Sequence, residues 1–568
     1  MKKSIQILTT VFLGIVAVML IAIFIRMLAG PKENTKEETT QEDTVQTSQA
    51  ASQNLPAVAS QNSTTVTSRN SSAGTSQNSA DGTSQNSSTG LNSEAGNADP
   101  GELPQDNIVT TQHTSVIKGQ SYSYTANTGT MVMESGGSYC EIFFTAYTLN
   151  GDGAADNRPI TFAFNGGPGA SSSFIHFGCL GPRKVELDEV GKTISMPSQI
   201  IDNENSILDM TDLVFIDPVG TGYSRAAAGS EPKDFWGYDN DIRSVGDFIR
   251  LYVNRYQRWG SPKYIAGESY GTTRAVGLCD YLATNFSLNI NGLLLISSVN
   301  DFNAVIETGA NDVSDALFIP TFAADAWYHK KLSSEYQAME LEDYLKKVRA
   351  FVDEEYIPAK FKGDAITESE KEALAGKIAE FIGVSEEYVL EADLCVNLED
   401  YSKELLKDKK LRIGRYDGRI TGPVVSGSYG DGASDPSAAS TDLAFGNTFM
   451  EYVTEELKYV TDWPYLPMSP EVGENWSFAN DEGLIRQENT IYENISKNNY
   501  LKIWVVCGYY DGATPFYSAE WVYRHLGLND DLRNNVQITH YPSGHMIYVN
   551  KEAFEMFRED AEKWFTDR

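Results

Sequence analysis

Hydrophobic and polar positions change their spacing several times along this chain, and each change marks an element. Ile5–Ile25 is an unbroken apolar run of about the length that crosses a bilayer. From Pro31 to Asp106 the apolar signal disappears, aromatic residues are absent, and a weak eight-residue repeat of SQN recurs at 52, 60, 76 and 84. From Ile108 onward, GQSYSYTANTGTMVM and YCEIFFTAYTL alternate apolar and polar residues, the period of antiparallel strands with one buried face. Short continuous apolar runs follow: ITFAF (160–164), LVFID (213–217), YIAG (264–267), LLLIS (293–297), IWVVC (503–507) and VQITHY (536–541). Strands covered on both faces have this pattern, and the helix-period stretch Asp239–Trp259 between two of them implies parallel strands joined by crossover helices. Between about 301 and 445 the period is helical instead. ELEDYLKKVRAFVDEEY and ITESEKEALAGKIAEFIG are acidic amphipathic helices, the second opened by a capping box of Thr367 and Glu370. Lys551–Arg568 reads as a final helix.

These elements give three expected parts. Residues 1–30 are a membrane anchor or signal segment: Lys2 and Lys3 precede the apolar run, which places the N-terminus on the cytoplasmic side and the rest outside. Cleavage near Ala29–Gly30 would make the protein secreted instead. Residues 31–106 are too polar to offset the entropy of ordering and are expected to be a disordered tether. Residues 107–568 form an α/β domain, a mostly parallel central sheet flanked by helices with a helical cap insertion at about 301–445.

Charge narrows the partners. The net charge is −33, of which residues 31–106 carry three basic and ten acidic side chains, so most of the acidity lies in the folded part. Such a surface repels nucleic acid and anionic lipid, and no polynucleotide partner is expected. The five cysteines, Cys140, Cys179, Cys279, Cys395 and Cys507, are far apart without a C-x-x-C pair, which indicates buried thiols rather than a zinc site or disulfide scaffold.

The chemistry concentrates at the ends of the buried runs. YIAG leads into Gly267-Glu268-Ser269-Tyr270-Gly271, a G-x-S-x-G pattern that can hold a nucleophilic serine at a sharp strand-to-helix turn. A serine hydroxyl needs a base oriented by a carboxylate. Downstream, the turn after IWVVC offers Asp511, and the loop after VQITHY offers His545, in the order serine, acid, histidine that such a sheet requires. Of the other histidines after Ser269, His329 falls in the helical insertion, His525 on a helix and His540 within a strand. An oxyanion hole needs two backbone N–H groups. Tyr270 supplies one and Gly167, in the turn Asn165-Gly166-Gly167-Pro168-Gly169 after ITFAF, the other.

NGGPG, NSILDMTDLVFIDPVGTGYS, GESYG, GYYDG and SGHM, in this order from about Gly119 to the C-terminus, resemble the serine carboxypeptidase family, peptidase family S10. The resemblance implies an α/β-hydrolase without metal or cofactor that removes C-terminal residues from peptides through an acyl-enzyme. It implies a triad of Ser269, Asp511 and His545, and a site for the free C-terminal carboxylate built from Asn165, Gly166 and Glu268. Glu268 would have to keep its proton to accept that carboxylate without repulsion. Met546 would help wall the pocket.

Three positions depart from the family pattern and mark a divergent, bacterial-type member. Cys179 stands where a second glutamate is usual, Ala163 where a tryptophan is usual, and Ala170 where a disulfide cysteine is usual. An esterase or acyltransferase with the same triad, or an inactive surface binding protein, are the alternatives. Arg412, Arg415 and Arg419 cluster in LRIGRYDGRITGP, where pairing with the protein's own carboxylates is the expected role. Trp463–Tyr465 are expected in the core.

Overall fold

The computed structural model describes residues 104–151, 158–307, 311–424, 435–480 and 483–566. The expected anchor, and all of the expected tether before residue 104, lie outside the described residues. Among the described residues no helix is long and apolar enough to cross a membrane.

The alternating stretch forms three antiparallel strands, β1 (Asn107–Ile117), β2 (Gln120–Ser135) and β3 (Ser138–Leu149). Gly136 and Gly137, both at positive φ, make the two-residue turn from β2 to β3, a backbone shape that matches the twist of the flanking strands. The apolar runs then supply β4 (Ile160–Phe164), β5 (Asp212–Ile216), β6 (Lys263–Glu268), β7 (Gly292–Ile296), β8 (Lys502–Gly508) and β9 (Val536–Tyr541). The ten-stranded sheet runs β1-β2-β3-β5-β4-β6-β7-β8-β9, with the two-residue strand Arg225–Ala226 beside β3. From β5 to β9 every pairing is parallel. The chain steps from β4 out to β5 and then back across to β6. That reversal opens a crevice at the C-terminal ends of β4 and β6, where open parallel sheets bind ligands.

Period-two alternation divides the parallel strands between two cores. Phe162, Phe164, Ile265, Leu293, Leu295 and Val505 face one way, against α1 (Tyr238–Arg255) and α2 (Tyr270–Phe286). Ala163, Ala266, Leu294, Ile296, Trp504 and Val506 face the other, against the C-terminal helix Lys551–Thr566. This explains why the strands read as unbroken apolar runs: both faces are covered.

Between β7 and β8 lie α3 (Asp312–Tyr328), α4 (Leu341–Phe351), α5 (Glu368–Ile382) and several shorter helices, which join the first core. The capping box at Thr367 and Glu370 is present. Helix α6 (Pro436–Glu451) crosses the expected insertion boundary at 445 and sends Phe445 and Phe449 into the second core. Its small-residue sequence, PSAASTDLAFGNTF, carries too weak a period to mark the helix in advance.

A buried ion pair ties the two helices under the crevice together. Arg274 Nε donates to Asp241 Oδ2 at 2.7 Å, and its Nη1 donates to the Asn165 carbonyl at 2.7 Å. Arg274→Met leaves the Asp241 carboxylate buried without its cation, so it is expected to destabilise the domain by about 3–5 kcal/mol in urea unfolding. Removing both charges in Asp241→Leu/Arg274→Met is expected to restore a large part of that loss; equal destabilisation of the single and double variants would show that the pair contributes through packing alone.

Candidate active site

Strand β6 ends at Glu268, and Ser269 follows with φ 59° and ψ −130°, an unfavourable region for a side-chain-bearing residue. Three hydrogen bonds hold it there: the Ser269 N–H donates to Ile296 O at 3.0 Å, and its carbonyl accepts from the Thr272 N–H at 2.8 Å and from Thr272 Oγ1 at 2.7 Å. Space is as restrictive as torsion. A Cβ on Gly267 would lie 2.1 Å from Gly271 O, and one on Gly166 would lie 2.4 Å from Tyr270 N. The turn after β4 and the elbow after β6 therefore meet backbone to backbone, with the Tyr270 amide against Gly166. Gly167, at φ 97°, occupies the adjoining position of the same turn.

The acid and histidine arrive on the two neighbouring strand ends. Asp511 follows β8 and is fully buried; His545 follows β9 and is 4% exposed. His545 Nδ1 and Asp511 Oδ2 are 2.8 Å apart. Asp511 Oδ1 accepts the Ala513 and Thr514 N–H groups at 2.8 and 2.9 Å, and Thr514 Oγ1 donates to Oδ2 at 2.7 Å. Burial, the largest single influence, would lower the His545 pKa, but the charge and hydrogen bond of Asp511 together with the charge of Glu268 outweigh it and the net shift is upward. Ser269 and His545 line one cleft of about 580 Å³.

LRIGRYDGRITGP fastens these two loops to each other. Tyr416 O accepts the His545 N–H at 2.6 Å, Arg415 O accepts the Gly512 N–H at 3.0 Å, and the Gly418 N–H donates to Tyr510 O at 3.0 Å. Arg419 donates to Asp417 and to Pro542 O, while Arg412 pairs with Glu399. Those two arginines pair within the protein as expected. Arg415 differs: it is exposed and lines the cleft, with its guanidinium 5.2 Å from the centre of the Tyr416 ring. Ser297 Oγ donates to His545 O at 2.6 Å from the other side. The bonds to backbone atoms among these supports were invisible in the sequence, because they join distant segments.

Asn165, Gly166 and Glu268 share the polar end of the same cleft. Asn165 Oδ1 accepts the Ile175 N–H at 2.9 Å, which orients the side-chain amide. Glu268 is 3% exposed, and burial pushes its pKa up from 4.5 to about 7. His545 and hydrogen bonds from Tyr548 and Asn165 hold that rise back, while Asp511 adds to it. The Tyr548 hydroxyl lies 3.1 and 2.9 Å from the two carboxyl oxygens of Glu268. Tyr548 was not singled out from the sequence; its place three residues after His545 was the available signal.

Away from the polar end the walls are apolar: Phe174, Phe445, Phe449, Met468 and Met546. Cys179 is buried on the helical turn Ile175–Leu180, close enough to Glu268 that the carboxylate helps keep the thiol protonated, although burial contributes more. All five cysteines are free thiols. Ala163 is buried within β4 in the second core and is absent from the cleft lining, so its exchange for a larger residue bears on packing behind the site rather than on its wall. Tyr465 is half-buried against the second core, whereas Trp463 is 63% exposed and departs from the expected core position. Among the described residues no cluster of potential metal ligands occurs.

A family model described as serine carboxypeptidase matches residues 131–557. Among curated proteins, the chain is 33% identical over 144 residues to the pheromone-processing carboxypeptidase KEX1 of Saccharomyces cerevisiae, covering 24% of this chain and 18% of that protein. It is 33% identical over 122 residues to serine carboxypeptidase-like 29 of Arabidopsis thaliana, covering 20% and 23%. With carboxypeptidase sxa2 of Schizosaccharomyces pombe it shares 25% identity over 185 residues, covering 32% and 33%. The matched stretch thus spans a third or less of each curated relative. Among solved structures, Kex1(delta)p, a prohormone-processing carboxypeptidase from Saccharomyces cerevisiae, aligns with a TM-score of 0.48 and 16% identity over 77% of this chain and 92% of that one.

The raised Glu268 pKa has a stability consequence of definite sign. An acid whose folded pKa lies above its unfolded value contributes stability below the unfolded value and loses it as pH rises through the folded one. Wild type is therefore expected to lose thermal stability between pH 4.5 and about 7 relative to Glu268→Gln, with the two melting temperatures equal at pH 4. Parallel melting curves across that range would show that Glu268 does not titrate as described.

Proposed function

The chain belongs to the serine carboxypeptidase family, and on that premise we propose that it removes C-terminal residues from peptides by way of an acyl-enzyme. The observation that carries this reading is the buried, proton-retaining Glu268 immediately before Ser269, in one cleft with His545 and Asn165. In this reading Ser269 Oγ attacks the scissile carbonyl while His545 takes its proton. Asp511, on the other ring nitrogen, fixes the tautomer and stabilises the imidazolium. The Gly167 and Tyr270 N–H groups donate to the developing oxyanion. His545 then returns the proton to the departing amine, leaving an ester on Ser269, and a water activated by the same imidazole hydrolyses it.

Asn165, the Gly166 amide and protonated Glu268 would receive the substrate's terminal carboxylate, which sets the cut one residue from the end. The apolar walls suit an apolar side chain beside the scissile bond. Helices α3–α5 would serve as a cap over this domain, residues 107–568. We further propose that residues 1–30 anchor the domain at a membrane through the apolar run Ile5–Ile25, with 31–106 as a tether and the catalytic part outside.

Peptides with free C-termini are expected to be cleaved at least a hundredfold faster than their C-terminal amides, and Ser269→Ala is expected to abolish the difference together with fluorophosphonate labelling. Equal cleavage of acid and amide would favour an esterase or acyltransferase, and folded protein without a Ser269 adduct would favour a binding protein. Full-length protein is expected in the detergent phase on Triton X-114 partitioning, and protein lacking residues 1–30 in the aqueous phase; aqueous full-length protein would rule out the anchor.

A further inference from the structure

The partner of Glu268 is a phenol. Tyr548 lies in the single turn Ile547–Val549 beyond His545, is 5% exposed, and points its hydroxyl at both carboxyl oxygens of Glu268. Its ring has been given room: a Cβ on Gly178 would fall 2.5 Å from Tyr548 Cε2, so the glycine beside Cys179 is what lets the ring pass. Cys179 itself is buried and makes no hydrogen bond to Glu268, although the two interact electrostatically. Of these two neighbours it is the tyrosine, and not residue 179, that hydrogen-bonds Glu268.

We propose that Tyr548 is a positioning residue that replaces the family's second acid and, through its hydroxyl on Glu268, sets the pH at which the cleft accepts a carboxylate. The proposal rests on the reading that Glu268 meets the substrate terminus.

The physical difference lies in the number of protons. Two paired glutamates share protons and titrate in two coupled steps. Burial and the neighbouring Glu268 keep the phenol protonated far above neutrality, so the pair Tyr548–Glu268 has one titrating proton, that of Glu268. The groups facing Glu268 are His545, whose positive charge favours the carboxylate, Asp511, whose negative charge opposes it, the neutral Cys179 thiol and the phenol. A phenol donating to a carboxylate stabilises the ionised form, so Tyr548 holds the Glu268 pKa below the value that burial alone would set. Losing that donor must therefore keep Glu268 protonated to higher pH.

The experiment measures KM for a free-carboxylate peptide against pH in wild type, Tyr548→Phe, Glu268→Gln and a variant with difluorotyrosine at 548. In wild type, KM is expected to rise tenfold per pH unit above a single limb. Tyr548→Phe is expected to move that limb upward by about one pH unit, the worth of one hydrogen bond to a charged group. The more acidic difluorinated phenol moves it downward, which keeps the test open if the phenylalanine variant folds poorly. Glu268→Gln removes the limb. A Tyr548→Phe limb that coincides with wild type or moves down, while Glu268→Gln still removes it, overturns the role of Tyr548 alone. A limb that persists in Glu268→Gln overturns the reading of Glu268 on which it rests.

Discussion

Everything in the cleft depends on how closely two strand-to-helix turns approach each other. β4 and β6 are neighbours in register, Phe164 opposite Gly267, and the chain leaves both at the same level. Side chains on Gly166 or Gly271 would occupy space that the opposing backbone already fills. This contact brings the two turns together beside Ser269, which sits there in its strained torsion. The cost of such a residue, of order 1–3 kcal/mol, falls on the large covered sheet beneath it.

The same closeness sets the electrostatics. Glu268, His545 and Asp511 are all nearly without solvent, and such a cluster cannot carry every charge at once. Asp511 accepts two backbone N–H groups, a threonine hydroxyl and the imidazole. Glu268 has a phenol and an amide, fewer and weaker donors. With fewer donors to offset its burial, Glu268 keeps its proton to higher pH than an exposed carboxyl would.

What the sequence made legible follows physical locality. The parallel strands were readable because burial on both faces leaves an unbroken apolar run, and the elbow because glycine, serine and glycine must stand at fixed offsets around a tight turn. The capping box at Thr367 was readable for the same reason, being a bond across three residues. Helix α6 was not, since its small residues carry little periodicity. Tyr548 on Glu268, Gly178 beneath Tyr548, and Tyr416 against His545 were also hidden, because each joins segments more than a hundred residues apart or acts through backbone atoms that no side chain announces. Arg412 and Arg419 were expected to pair internally and do; Arg415, drawn from the same cluster, stands apart at the cleft.

The order of strands across the sheet also has a consequence in time. β8 and β9, which deliver Asp511 and His545, are the last two strands of the chain, and the strap that braces their loops comes only after the long helical stretch. A nascent chain leaving the ribosome therefore exposes Ser269 well before His545, its proposed base, has been made. The elbow itself leans on Ile296 of β7, which is shielded only when β8 docks beside it. Synthesis thus keeps the proposed nucleophile unarmed until β9 and the loop that follows it have been made.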